Sequence, residues 1–145
     1  MPSINDFIAR GRVSDVREGM VIFHPTNTNY ELHLKVAGGK YDGPRDTLIN
    51  AHLHVAARKV WTVSSGGLFV TPLFGPPRII QGRVRHIEDR SLVLHAGAPF
   101  TVELPEAETA YDLQPGSIGV NTLVNVTVFP GARIEFARQP AAANG

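Results

Sequence analysis

Gly11-Arg12-Val13 recurs as Gly82-Arg83-Val84, and the same offset sets Val16 on Ile87, Glu18 on Asp89 and Val21-Ile22-Phe23-His24 on Leu92-Val93-Leu94-His95. One deleted position then carries Tyr30 onto Phe100, Leu32 onto Val102, Leu34 onto Leu104 and Tyr41-Asp42 onto Tyr111-Asp112. After a short insertion within 113–122, residues 48–58 face 123–133. Colinear matches with so few gaps predict a duplicated unit, so the fold must accommodate two copies of one small structure.

The repeated unit reads as β. Glycine and proline are frequent and scattered, and the apolar runs between them are short, as many strands separated by turns require. Ile49, Ala51, Leu53 and Val55 alternate with Asn50, His52 and His54, while Val124, Val126 and Val128 alternate with Asn125 and Thr127, so the two copies agree in phase. Each copy yields a strand opening at Gly-Arg-Val, a strand ending at histidine, a third near Tyr30 or Phe100, a long alternating strand and a short final one, over 59–63 or 134–136. Five short antiparallel strands match a small OB-like barrel. The expected architecture is therefore all-β, a tandem duplication of that unit, either as two barrels or merged into one larger barrel or sandwich with strands from both copies. Tandem OB-like repeats of this total length occur in the molybdate-binding family; the likeness is one of architecture, and no residue motif carries it.

The expected organisation is an N-terminal arm or short helix over 1–10, a first repeat over 11–63, a connector over 64–81, a second repeat over 82–137 and a disordered tail over 138–145. Ser3, with Asp6 three residues on, is a helix-start signature, although a helix over 3–9 must dock to persist. The connector is apolar for a linker, carrying Leu68, Phe69, Val70, Leu73 and Phe74, so burial of these side chains at the seam between copies or in a subunit contact is expected.

Composition narrows the chemistry. With no cysteine, disulfides and cysteine-based metal sites or nucleophiles are excluded. No phosphate loop, dinucleotide fingerprint, nucleophile elbow or zinc-protease helix occurs. Residues 1–10 lack a long apolar run and carry Asp6, so a cytoplasmic location without membrane contact is expected. Fourteen basic residues against thirteen acidic ones argue against a strong whole-chain grip on nucleic acid, while leaving room for a local basic patch.

Two groups of side chains stand out. His52 and His54 lie two apart on a strand and share a face, and His33 can approach from a neighbouring strand. That spacing resembles the start of a cupin metal site, but the glutamate a cupin supplies soon afterwards is missing, so no metal and no other cofactor is expected. The second group is Arg12, Arg83, Arg58 and Arg133, matched in pairs between the copies; a pseudo-twofold seam that gathered them would hold a small oxyanion. His24 and His95 are also matched, at strand ends, where a repeated structural bond explains both.

The functional expectation is a non-catalytic interaction or assembly module whose partner is a second copy or another protein. Two alternatives remain: a binder of a small oxyanion or other small ligand, and a single-strand nucleic-acid binder on an OB-like face, which needs exposed aromatics interleaved with positive charge.

Overall fold

The computed structural model describes residues 3–88, 90–104 and 118–136. A 3-10 turn over Ile4–Asp6 precedes the strands; Ser3 and Asp6 form the expected capping box, but Phe7 is already extended. The strands are β1 (Ala9–Arg17), β2 (Met20–Pro25), β3 (Glu31–Val36), β4 (Ile49–Thr62), β5 (Phe69–Thr71), β6 (Phe74–Gly75), β7 (Ile79–Glu88), β8 (Ser91–His95), β9 (Pro99–Glu103), β10 (Leu123–Val128) and β11 (Arg133–Phe136). The chain is all-β, and among the described residues eleven strands join in a single sheet.

That sheet closes on itself twice. One circuit of pairing runs β1-β2-β3-β11-β4 and returns to β1; the other runs β4-β10-β7-β8-β9 and returns to β4. In each circuit one pairing is parallel, β11 with β3 in the first and β4 with β9 in the second. β4 belongs to both, because Ile49 to Ala51 pair with β1 and Ala51 to His54 with β11, after which His54 to Ala56 pair with β9 and Ala57 to Thr62 with β10. The strand expected over 59–63 is therefore a continuation of β4 without a break. Each circuit takes a strand from the opposite half of the chain: β11 completes the first, and the far end of β4 completes the second.

Local geometry repeats between the halves. In the β1–β2 hairpin Arg12 faces His24, Val13 faces Phe23 and Asp15 faces Ile22; in β7–β8 Arg83 faces His95, Val84 faces Leu94 and His86 faces Val93. Both hairpins skip one residue at the same place, between Val13 and Asp15 and between Val84 and His86. Such a bulge bends the strand and raises its twist. Likewise Ile49 faces Gly11 and Asn50 faces Arg10, while Val124 faces Gly82 and Asn125 faces Gln81. Gly11 and Gly82 share a steric reason for lacking a side chain, since a Cβ on either would stand 2.3 Å from the carbonyl oxygen of His24 or His95.

The third strands correct the expected alignment. Phe23 faces Leu32 and Leu94 faces Phe100, so Leu32, and not Tyr30, occupies the place of Phe100. Eight residues separate Phe23 from Leu32 and five separate Leu94 from Phe100, a difference of three, which is two more than the one position already allowed. An even shift preserves the inward phase, which is why alternation alone could not detect it.

The connector also differs from expectation. Val70 is fully buried, but Leu68, Leu73 and Phe74 are exposed and Phe69 is half-buried. β5 pairs with β7 and β6 with β3, so backbone bonds hold this segment in place while most of its apolar side chains face outward. The inward residues of both halves, among them Val13, Phe23, Leu32, Leu53, Val60, Leu94, Phe100 and Ile134, form one continuous core. Tyr41 packs its ring 4.4 Å from that of Phe136; Tyr111-Asp112 and the expected tail over 138–145 lie outside the described residues.

Candidate functional site

On β4, cations, an aromatic ring and a concave surface coincide in a stretch whose lining holds no carboxylate. On its outward face, Lys59 stands opposite Thr127 and Trp61 opposite Asn125; Arg58 is the extra residue at a bulge where the register skips from Lys59 to Ala57. The bulge places two consecutive cations, Arg58 and Lys59, on the exposed side while Ala57 and Val60 remain buried. A groove of about 660 Å³ is lined by Arg58, Lys59, Trp61, Thr62 and Thr127. A second, of about 430 Å³, shares Arg58 and Thr127 and adds Thr71, Pro72, Arg78, Ile79 and Val128. The two grooves adjoin at Arg58 and Thr127.

No carboxylate lines either groove, and Arg58, Lys59 and Arg78 make no ion pair among the described residues. The Lys59 ammonium lies 5.7 Å from the centre of the Trp61 ring, within cation–π range. Glu103, paired in register with Ala56, is outside the lining. Behind the groove, Asn125 donates to Gln81 at 2.9 Å and Gln81 donates to the Gly67 carbonyl at 2.9 Å; Asn125 Oδ1 is buried without a partner.

The four arginines singled out in the sequence are dispersed. Arg12, on β1, donates to Asp46 at 2.8 Å, which neutralises its charge. Arg83, on β7, donates to the Asn121 carbonyl. Arg133 opens β11 opposite His54, four positions along β4 from Arg58, or about 13 Å of strand. Of the four, only Arg58 reaches the groove. Lys59, Trp61 and Arg78 were not singled out, although the sequence held a signal for them: no aspartate or glutamate occurs between Asp46 and Glu88.

His52 and His54 have protein partners. His52 Nε2 is 3.1 Å from the Asn5 carbonyl, and His54 Nε2 is 3.3 Å from a Glu135 carboxylate oxygen. Their ring centres are 6.4 Å apart, while His33 stands opposite Ile22 on β3, with β11 between β3 and β4 in the sheet order. Among the described residues no group of three or more His, Asp or Glu side chains is placed to hold a metal ion. Burial holds the His54 ring below its ordinary pKa; Arg133 adds to this and Glu135 opposes it. His24 bonds Ser14 Oγ at 2.6 Å, and burial followed by Arg12 lowers its pKa; His95 is lowered by burial and by Arg85.

Another groove, of about 720 Å³, lies elsewhere, among Arg12, His24, Tyr30, Glu31, Leu48, Leu73 and Phe74 together with residues 25–29. It combines a paired arginine with exposed apolar groups: Leu48 is 55% exposed, Leu73 46% and Phe74 60%. Among the described residues, no helix is long and apolar enough to cross a membrane. Comparison of the chain with protein-family models, with curated proteins and with solved structures gives no match.

Proposed function

We propose that the protein is a non-catalytic binding module, built by duplication of an OB-like unit whose two copies exchange their fifth strands, and that it takes an anionic ligand in the Arg58–Lys59–Arg78 groove. The duplication is supported by the matched registers, bulges and crowded glycines of the two halves. The binding site rests on one observation above all, a concave surface with three cations and no carboxylate. Clustered cations repel one another, so the arrangement disfavours itself unless an anion is present. The Thr71 hydroxyl in the same lining supplies a neutral donor, while that of Thr127 donates to the Lys59 carbonyl.

The test is thermal stabilisation by inorganic polyphosphate at low salt. Free ligand at 100 times its dissociation constant adds about 2.7 kcal/mol to stability. The combined variant Arg58→Ala, Arg78→Ala should lose this gain while retaining its fold in the absence of ligand. A wild-type protein whose melting temperature ignores polyphosphate, sulfate and molybdate alike would sink the proposal.

A second reading, self-association, is favoured by the exposed cluster of Leu48, Leu73 and Phe74, since apolar groups gathered around one groove are a common mark of protein contact. Sedimentation of wild type against Phe74→Ser decides it: an assembly that the substitution dissociates supports the reading, and a monomer at all concentrations excludes it.

A further inference from the structure

We propose that the anion in the Arg58–Lys59–Arg78 groove is the backbone of single-stranded nucleic acid and that Trp61 is the platform on which one base stacks. This rests on the anion-binding reading above and adds to it the identity of the ligand.

Trp61 lines the groove with its ring beside the cations, and indole is the largest π-surface a protein offers to a base. A site for inorganic anions alone has no use for a ring within its lining. Phe129, 48% exposed, lies outside the lining, just past Val128, its N–H bonded to the Ala56 carbonyl. From Ala56 to Trp61 the β4 backbone covers about 17 Å, with Arg58 and Lys59 between the two aromatic positions. Aromatics at the ends and cations between them form the interleaved pattern that tracks a sugar-phosphate chain. Such a length suits the short end of known single-strand sites, about 4 nucleotides.

The formal charge of +1 for the whole chain does not oppose this, because screening confines each charge to about 10 Å and no carboxylate lines either groove, the near one being Glu103 opposite Ala56. Single strands are favoured over duplex because stacking on Trp61 needs an unpaired base face, which a paired and stacked helix does not present.

Trp61 is the only tryptophan, so intrinsic emission reports directly on the groove. A short oligothymidylate should quench that emission and bind more tightly than inorganic polyphosphate of equal charge. With three cations releasing counterions from a single strand, the slope of log affinity against log salt should be about −2. Measured by anisotropy of a labelled oligonucleotide, Trp61→Ala should weaken oligothymidylate at least about tenfold and leave polyphosphate unchanged, while Trp61→Phe should recover most of the loss. Arg58→Ala with Arg78→Ala should weaken both ligands. If polyphosphate and oligothymidylate bind equally and Trp61→Ala changes neither, the anion site stands and the nucleic-acid assignment falls. Equal affinity for a duplex of the same length would also overturn it. Binding of neither ligand would overturn both proposals.

Discussion

The Tyr30 hydroxyl donates to the Ala96 carbonyl at 2.7 Å, in the interior, joining the turn after β2 to the turn after β8. Gly97 completes the junction, since a Cβ there would meet Thr28 and Tyr30 at 3.1 to 3.3 Å. The corresponding turns of the two halves therefore bear on each other, and the bond crosses between the two pairing circuits. Tyr30→Phe keeps the ring and removes the donor, so it should lower stability by about 1 to 2 kcal/mol. Denaturant midpoints at a constant m-value would show this; an unchanged midpoint would mean that the bond is replaced on mutation.

Gly11 and Gly82 should be equally intolerant of alanine. The atom that a new Cβ would strike is a backbone carbonyl of the paired strand, which cannot rotate away as a flexible side chain would. Each substitution should cost about 3 kcal/mol through displacement of β1 from β2 or β7 from β8. Urea unfolding of both variants checks this, and a large cost at one glycine with none at the other would count against the equivalence of the hairpins.

Ile134 should matter far more than a residue in a four-residue strand ordinarily would. It is fully buried and lies in β11, between Val36 of β3 and Leu53 of β4, where it closes the first circuit. Ile134→Ala should destabilise by about 3 kcal/mol, within the range for large-to-small core changes. Amide exchange should show opening of β3 and the first part of β4 before β7 and β8. Uniform loss of protection across all strands would contradict a local role for β11.

Within the connector, stability should follow Val70 and not the larger apolar residues. Val70→Ala removes fully buried methyl groups and should cost about 2 kcal/mol, whereas Phe74→Ala should change stability by less than about 1 kcal/mol. Thermal melts of the two variants order them directly. The reverse order would place Phe74 in a core contact.

Acid should weaken the fold through its histidines. Burial lowers the pKa of His24, His54 and His95 below the ordinary 6.5, so these rings resist protonation in the folded state. The unfolded chain then binds more protons as pH falls. Their contribution is fully present above pH 6.5 and is lost as pH drops through the depressed folded values. Denaturant midpoints at about pH 7.5 and about pH 5.5 should differ, with the lower midpoint in acid, and His54→Gln should shrink the difference. A variant with the full acid loss would remove His54 as a contributor.

Much of the local structure was legible in the residues. Inward phases and the matched places of Asn50 and Asn125 follow from period-two alternation and the repeated letters, whereas the strands open at Ala9 and Ile79, ahead of each Gly-Arg-Val. The candidate groove was visible only in part: Arg58 was singled out, but for a seam of four arginines, while Lys59 and Trp61 looked like residues of a short separate strand. A bulge and an uninterrupted β4 turn the same residues into one face of a groove, and neither leaves a mark in composition.

By itself, then, the sequence determined strand phase, which depends on neighbours along the chain. Tertiary structure decided which distant edges meet. An open edge of either half can be satisfied by the last strand of its own half or of the other, because both offer the same kinds of backbone donors and acceptors, so letters alone cannot choose between them. The exchange of β11 and the far end of β4 is settled by how the whole sheet closes. That closure also sets which apolar side chains find a partner, burying Val70 and leaving Leu73 and Phe74 exposed, and it brings Arg78 beside Arg58 across the sheet.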